Sequence, residues 1–371
     1  MRVLHIYKDY PPVLGGIENH LELLAEGLAA RGHEVTVLVS GLGRATTVSE
    51  RRGVRLVAAG RLGTAASTPL SPALPLLLAR ERPELMHLHH PYPPGDAAAL
   101  VAARGAPLVV SYHSDIVRQR RLGAATAPLV RGTLRRARRI IATSPAYIRS
   151  SPFLAPVASR CRVVPYGVPV DEFGRADAGL VAALRAEHPG PVVLFVGQLR
   201  YYKGADRLVR AMAHVPARAV IVGADATVRR AELQALAAEL GVAERVHFAG
   251  EQSGAALRAH YHAADVLALP SVERSEAFGI VQVEAQAAGL PVVCTELGTG
   301  TSYVTRHGRT GVVVPPDDVP ALARALRALV ECPPLARALG EAGRARARAE
   351  FRLERMLDRV EAVYDEALRG D

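Results

Sequence analysis

Residues 275–293 read SEAFGIVQVEAQAAGLPVV. Two acids, Glu276 and Glu284, stand there with seven residues between them, and the run closes on the apolar pair Val292 and Val293. Just upstream, DVLALPS at 265–271 is a short apolar run of the kind that forms a buried strand. Strand, loop, helix and strand follow in quick succession, the pattern of a parallel βαβ unit. Glu276 falls in the loop, and a helix is expected to begin near Phe278 or Gly279. Glu284 then lies about one and a half turns inside that helix, some ~8 Å further along at a rise of ~1.5 Å per residue.

The same alternation runs through the whole chain. RVLHIY (2–7) reads as a strand, and GIENHLELLAEGLAARG after it places Ile17, Leu21, Leu24, Ala25 and Leu28 on one helical face with Gly32 as a stop. Further strands are expected at HEVTVLVS, ELMHLH, PLVVSYH, RIIATS and RVVPYG. A stretch rich in Pro, Gly and charge, 169–190, reads as a linker region. A second series then begins with PVVLFVGQL, ARAVIVG, RVHFAG, DVLALPS and PVVCTEL, and from about 318 the composition is nearly all helical. The expectation is α/β: two doubly wound domains, 1–168 and 191–350, facing a central cleft, with a last helix over 351–371. Ligands of such sheets bind beyond the carboxyl ends of the strands.

The 371 residues suit two domains, and no apolar run reaches the ~18 residues of a membrane span. Three scattered cysteines, Cys161, Cys294 and Cys332, form neither a disulfide framework nor a metal-ligand spacing, and the amino-terminal residues read as a strand rather than a signal peptide. These features point to a cytoplasmic protein. The net charge of +10 is lopsided: residues 1–165 carry 22 Arg+Lys against 10 Asp+Glu, and the remainder 24 against 26. Eight arginines crowd into 118–139, which reads either as a face for an anionic membrane or polyanion, or as a solvated surface. There is no zinc knuckle, no helix-turn-helix and little aromatic residue to interleave with the basic ones, which argues against nucleic acid.

Only two of the 46 basic residues are lysine, Lys8 and Lys203. Lys203 with Gly204 falls where the second domain's first strand passes into a helix. A cation at a helix start is locally unfavourable, so an anion is expected there as well, with phosphate the natural choice. Gly15 and Gly16 occupy the matching turn of the first domain, where backbone can approach a ligand, although a tight turn explains them equally. The free N–H groups of Gly279, Ile280 and Val281 would form a third phosphate site between the two acids. Sugar hydroxyls, diphosphate and ribose hydroxyls occur in that order in a nucleotide sugar, and carboxylates accept hydrogen bonds from diols. The alternative is that Glu276 is a first-turn acid and Glu284 an ordinary helix residue. His113, at a strand's carboxyl end, could move a proton or hold a hydroxyl. His87, His89 and His90 read as a strand end and turn without a metal, and GTGTSY (298–303) as a flexible loop.

Glu276-x7-Glu284, the Gly-Gly turn, VGQLRYYKG and HGRTGVVVPP together resemble the family 4 glycosyltransferases, a likeness that covers essentially the whole chain. It implies the GT-B fold and transfer of a sugar from a nucleotide donor with retention and no metal or other cofactor. On that resemblance Glu276 binds the donor sugar and Glu284 the ribose. Lys203 and the backbone of Gly15, Gly16, Phe278, Gly279 and Ile280 hold the diphosphate, and Phe248 borders the base. His113 sits near the reacting carbon, on the acceptor side with Lys8, and the last helix packs back on the first domain. The family's usual phosphate-binding arginine is replaced by Gln198, with Arg200 two residues on as a substitute. The resemblance favours GDP-mannose as donor and a glycan, lipid-linked or small-molecule acceptor. It leaves open a UDP-sugar transferase, or an epimerase or hydrolase of nucleotide sugars, and suits an enzyme peripheral to the inner membrane face.

Overall fold

The structure, a computed structural model, describes every residue except 14, 66–67, 103–104, 117–119, 226–228 and 371. It divides into two compact units, Met1–Gly167 with Leu353–Asp371, and Val168–Arg352. In the first, the described strands are β1 (Arg2–Ile6), β2 (Glu34–Ser40), β3 (Thr47–Arg51), β4 (Val54–Ala59), β5 (Gly63–Ala65), β6 (Thr68–Leu70), β7 (Leu85–His90), β8 (Leu108–Tyr112), β9 (Arg139–Ala142) and β10 (Cys161–Val163). Eight of them form one sheet in the order β10-β9-β8-β7-β1-β2-β4-β3, while β5 and β6 make a separate ribbon. All neighbours in the main sheet are parallel except the β3–β4 pair. Every residue of β7 and β8 is buried, as expected for strands covered on both faces. The helix Gly16–Ala30 lays Leu21, Leu24, Ala25 and Leu28 on the sheet, with Ile17 half-buried.

In the second unit β11 (Val192–Val196), β12 (Arg218–Val222), β13 (Val246–Gly250), β14 (Val266–Leu269), β15 (Val292–Thr295) and β16 (Gly311–Val314) form a sheet ordered β13-β12-β11-β14-β15-β16, parallel throughout. Both sheets are therefore doubly wound. Strand order reverses between β1 and β7 in the first and between β11 and β14 in the second. A crevice opens at the carboxyl end of such a reversal, because the connections leave to opposite faces there.

Three expectations need correction. The supposed linker 169–190 is largely helical: Val170–Phe173 and Ala178–Glu187 belong to the second unit. Asp177 caps the longer helix by accepting from the Leu180 N–H at 2.9 Å, and Arg185 ties it to Asp265 at 3.0 Å. The Pro and Gly that suggested a linker only punctuate the helices. The β3–β4 hairpin was not anticipated, since β3 is exposed throughout and has no buried alternation. Its turn puts Arg52 and Gly53 at φ +49° and +77°, the double left-handed conformation that matches strand twist.

The basic segment is the third. Arg118 lies outside the described residues. Arg139 pairs with Glu366 at 2.7 Å, and Arg138 donates to the Ala367 carbonyl at 3.0 Å. Both therefore help hold the C-terminal helix Leu353–Arg369 against the rest of the first unit, although Arg138 stays exposed. Arg131 and Arg135 remain exposed on the helix Arg120–Arg136. Among the described residues no helix is long and apolar enough to cross a membrane.

Candidate active site

Beyond the β11/β14 reversal, two loops distant in sequence converge. After β11 the chain makes a single turn, Tyr201–Lys203, and Gly204 at φ +71° starts the helix Ala205–Ala211. A Cβ at Gly204 would stand 1.9 Å from the Pro270 carbonyl oxygen, so the residue must be glycine for the β14 loop to lie against it. After β14 the chain runs through Ser271 and Glu273 to Glu276. The Val272 N–H donates to the Tyr202 carbonyl at 2.8 Å, and the Tyr201 hydroxyl to Glu273 at 2.9 Å, which locks the two loops together.

That registration brings Lys203 Nζ to 2.5 Å from Glu276 Oε2, with the Glu276 residue only 6% exposed. Ser271 Oγ donates to the same carboxylate oxygen at 3.2 Å. Burial, the largest single influence, pulls the Lys203 ammonium toward neutrality. The Glu276 charge and hydrogen bond, helped by Tyr202, outweigh it and hold the ammonium above the usual lysine range. Without ligand, the cation expected for phosphate and the acid expected for sugar thus satisfy each other.

Residues 298–303, expected as a flexible loop, are instead the buttress of this acid. The Thr299 hydroxyl donates to the Glu276 carbonyl at 2.8 Å and the Gly300 N–H to the Ala277 carbonyl at 2.7 Å. Thr299 and Thr301 are fully buried, and a short helix begins at Thr301. The small residues that suggested flexibility are small because they pack tightly.

The following helix is Ile280–Ala288, one residue later than expected, with Gly279 at φ +75° as its N-cap. A Cβ on Gly279 would meet Leu269 at 2.6 Å and Gln282 at 2.7 Å. The Ile280 and Val281 N–H groups precede the first acceptor of the helix and lie close to Glu276 in the chain, while the Gln282 N–H donates to the Gly279 carbonyl at 2.9 Å. The Phe278 ring is core, packed edge-on against Phe351 at 6.0 Å, so only its backbone is available to a ligand. Glu284 accepts a hydrogen bond of 2.5 Å from the Tyr261 hydroxyl. Burial raises its carboxyl above the ordinary range, while that bond and the Lys203 charge pull the other way. Lys203 is thus felt at both acids.

Gln198 and Arg200 lie in the loop after β11 and bond each other, Nε to Oε1 at 2.8 Å. At the carboxyl ends of β12 and β13 there is a cavity of about 330 Å³ lined by Leu199, Ile221, Asp225, Arg230, Phe248 and Glu251. The Arg230 guanidinium sits 5.5 Å from the centre of the Phe248 ring. Phe248 was anticipated, whereas Arg230, Tyr261, Ser271 and Thr299 were not, because nothing local in the sequence announces their partners.

The first unit presents its own residues at the β1/β7 reversal. Gly15 has extended backbone and N-caps the helix beginning at Gly16. The Glu18 carboxylate folds back over it, so that a Cβ on Gly15 would stand 2.1 Å from Glu18 Oε2. Lys8 lies 3.8 Å from Glu18 and 4.0 Å from Asp9. His113, the first residue past β8, is buried, and both its ring nitrogens are engaged: Nε2 by His89 at 2.9 Å and Nδ1 by the Tyr166 hydroxyl at 2.5 Å. His87, His89 and His90 end β7 as expected, but their rings are core rather than turn.

The second unit gathers a basic residue, two acids and a helix N-terminus at its switch point, an arrangement suited to a phosphorylated ligand. Comparison with known proteins gives the class. Residues 181–346 match the family described as "Glycosyl transferases group 1", and residues 14–172 match "Glycosyltransferase Family 4". The chain is 38% identical over 365 residues to the D-rhamnosyltransferase WbpZ of Pseudomonas aeruginosa, covering 95% of this chain and 92% of that one. It is 33% identical to the O-antigen chain mannosyltransferase C of Escherichia coli, with 100% of each chain covered. Among solved structures, sucrose-phosphate synthase from Thermosynechococcus elongatus superposes with a TM-score of 0.86 at 25% identity over 100% of both chains. The chain belongs to the GT-B glycosyltransferases, with a family 4 amino-terminal half.

Proposed function

We propose that this enzyme moves a hexose from a nucleotide-sugar donor, GDP-mannose, to a glycan, lipid-linked or small-molecule acceptor, with retention and without a catalytic metal. The observation that carries the reading is the Lys203–Glu276 pair at the β11/β14 switch point, beside the helix N-terminus at Ile280 and with Glu284 further along that helix. A donor entering there replaces one partner with two: the diphosphate takes Lys203, and the sugar hydroxyls take Glu276. The ribose diol falls to Glu284, and the base to the Phe248 cavity. Gln198 and Arg200 flank the diphosphate from the β11 loop.

Chemistry follows from where charge develops. As the anomeric C–O bond breaks, negative charge grows on the departing diphosphate oxygen. Once the sugar takes Glu276, the freed Lys203 joins the helix N–H groups in stabilising that charge, a role that on this reading leaves no task for a metal. The acceptor hydroxyl attacks from the same face and gives its proton to the departing oxygen. The GDP-mannose-dependent alpha-(1-6)-phosphatidylinositol monomannoside mannosyltransferase of Mycobacterium tuberculosis, 30% identical over 393 residues, supports a GDP-sugar. The exposed Arg131 and Arg135 suit an acceptor carried on an anionic membrane surface.

Calorimetric titration with GDP and UDP, each with EDTA, tests the reading. GDP is expected to bind and UDP to bind more weakly. A preference for UDP removes the donor assignment, loss of binding in EDTA removes metal independence, and failure of both nucleotides to bind removes the nucleotide-sugar reading. Release of free sugar without acceptor, at the rate of transfer, would make the enzyme a hydrolase. Vesicle flotation of the Arg131→Gln/Arg135→Gln protein tests the membrane face, and unchanged flotation removes it.

A further inference from the structure

Five histidines from four segments meet inside the first unit: His5 on β1, His20 on the helix Gly16–Ala30, His87 and His89 on β7, and His113 after β8. All five are buried. Three of them form a line. His5 Nδ1 is 3.0 Å from His89 Nε2, His89 Nδ1 is 2.9 Å from His113 Nε2, and His113 Nδ1 is 2.5 Å from the Tyr166 hydroxyl. The His89 and His113 ring centres are 5.1 Å apart with planes 10° from parallel. With the nitrogens so much closer than the centres, the rings lie edge to edge in nearly one plane, each lone pair aimed at its neighbour's N–H.

This geometry separates a hydrogen-bonded row from a metal cage. Ligands of one ion aim their lone pairs at a common point, whereas these aim at one another in sequence. The remaining groups around the row are rings: His20 lies 5.5 Å from His113 and 4.4 Å from Tyr166, and Tyr7 lies 6.0 Å from His89. His87 is separately satisfied by the Tyr364 hydroxyl at 2.6 Å and Ser111 at 2.8 Å. His90 bonds Asp96 at 3.2 Å, outside the row.

A row of neutral imidazoles has two possible directions, and its free end distinguishes them. His5 Nε2 is buried without a hydrogen-bond partner. An orphaned N–H is the rarer occupant of such a position, so the bare lone pair belongs there. His5 then donates from Nδ1 to His89, His89 from Nδ1 to His113, and His113 from Nδ1 to Tyr166.

We propose that His89, backed by His5, is a positioning residue for His113: the three rings form one polarised row, all with the proton on Nδ1, that fixes His113 in a single orientation and occupies both its nitrogens. The inference rests on the transferase reading only for its consequence. His113, with both ring nitrogens engaged, exchanges no proton, and the acceptor's proton is left to the departing diphosphate. The deep burial that keeps these rings neutral agrees.

Nitrogen NMR of the ring atoms in the whole, ligand-free protein reads the row directly. His5, His89 and His113 are expected in the Nδ1–H form, unprotonated between about pH 5.5 and 8. Mixed tautomers, or a His113 that gains a proton near its ordinary midpoint, would overturn the proposal. Binding of one equivalent of zinc, lost in His89→Leu, would make the cluster a metal site and overturn it too. In turnover, His89→Leu is expected to lower kcat about tenfold with donor KM within about twofold, and to make the rate titrate with His113. His89→Asn, which keeps a polar atom toward His113, should recover part of that loss. Unchanged kcat per folded molecule in His89→Leu means the row is only structural. A wild-type protein that transfers no sugar would defeat the transferase reading while the tautomers still judge the row.

Discussion

In the second unit, the loops beyond the strand-order reversal hold a buried ion pair, Lys203 against Glu276; in the first, the corresponding edge holds neutral histidines bonded to one another. The ion pair lies past the carboxyl ends of β11 and β14 and the histidines on or just after β1, β7 and β8, all strands of parallel pairs, so topology alone does not decide the chemistry. On the proposed function the second unit concentrates charge where a diphosphate and diols would be recognised, and its pair would open because a donor offers each partner a replacement. In the first unit His5, His89 and His113 bond one another in a row, with His5 Nε2 left unpartnered at its end.

The sharpest break of this contrast is at Glu276. Glu276→Ala is expected to slow transfer by about a thousandfold or more, some ~4 kcal/mol, while nucleotide affinity stays within about threefold. Equal loss of both, by calorimetry and turnover, would mean that Glu276 holds the nucleotide rather than the sugar. Lys203→Ala should weaken diphosphate binding by about a hundredfold and monophosphate binding far less; equal weakening removes its phosphate role.

Gly279→Ala sharpens the comparison through stability. The added Cβ collides with Leu269 and Gln282 at a left-handed φ, so a loss of about 2–3 kcal/mol is expected in the urea midpoint of the second unit's transition. A change under half of that would show that the helix start can shift without penalty.

Acid should separate the units. Burial lowers His5 and His20 to about 3, and His87, His89 and His113 well below the usual value. The unfolded chain takes up protons near the ordinary midpoint of ~6.5 while the native rings do not, so stability is full above that pH and falls as pH drops below it. Each such ring costs up to about tenfold in the folding equilibrium per pH unit. Between pH 7 and 5, hydrogen-exchange protection should fall in β1, β7 and β8 before β11 and β14, and the reverse order would refute the assignment. The smallest effect belongs to Tyr261→Phe. Losing one hydrogen bond to Glu284 should raise donor KM by a few-fold, about 1 kcal/mol, with kcat nearly unchanged.

Much of this was legible in the chain itself. Apolar runs bounded by Gly and Pro located most strands, and the period of Leu21, Leu24, Ala25 and Leu28 located the first helix. The interval from Glu276 to Glu284 placed one acid in a loop and the other in a helix. Segments of weak pattern were misread. Exposed β3 gives no alternation, 169–190 hides helices among Pro and Gly, and the small residues of 298–303 signify close packing as readily as mobility. The arginines of 118–139 looked alike, yet Arg138 and Arg139 are committed to the C-terminal helix.

By itself the sequence determined what depends on neighbours along the chain: strand and helix periods, the glycine turns, and the two lysines among 46 basic residues. Partners far apart in sequence were decided by the tertiary structure alone. Lys203 and Glu276 are 73 positions apart, and His5 and His89 are 84 apart. They meet because each follows, or lies on, a strand flanking a reversal of sheet order. Strand order is a property of the packed sheet, set by which faces the helices cover, and no local run of residues encodes it.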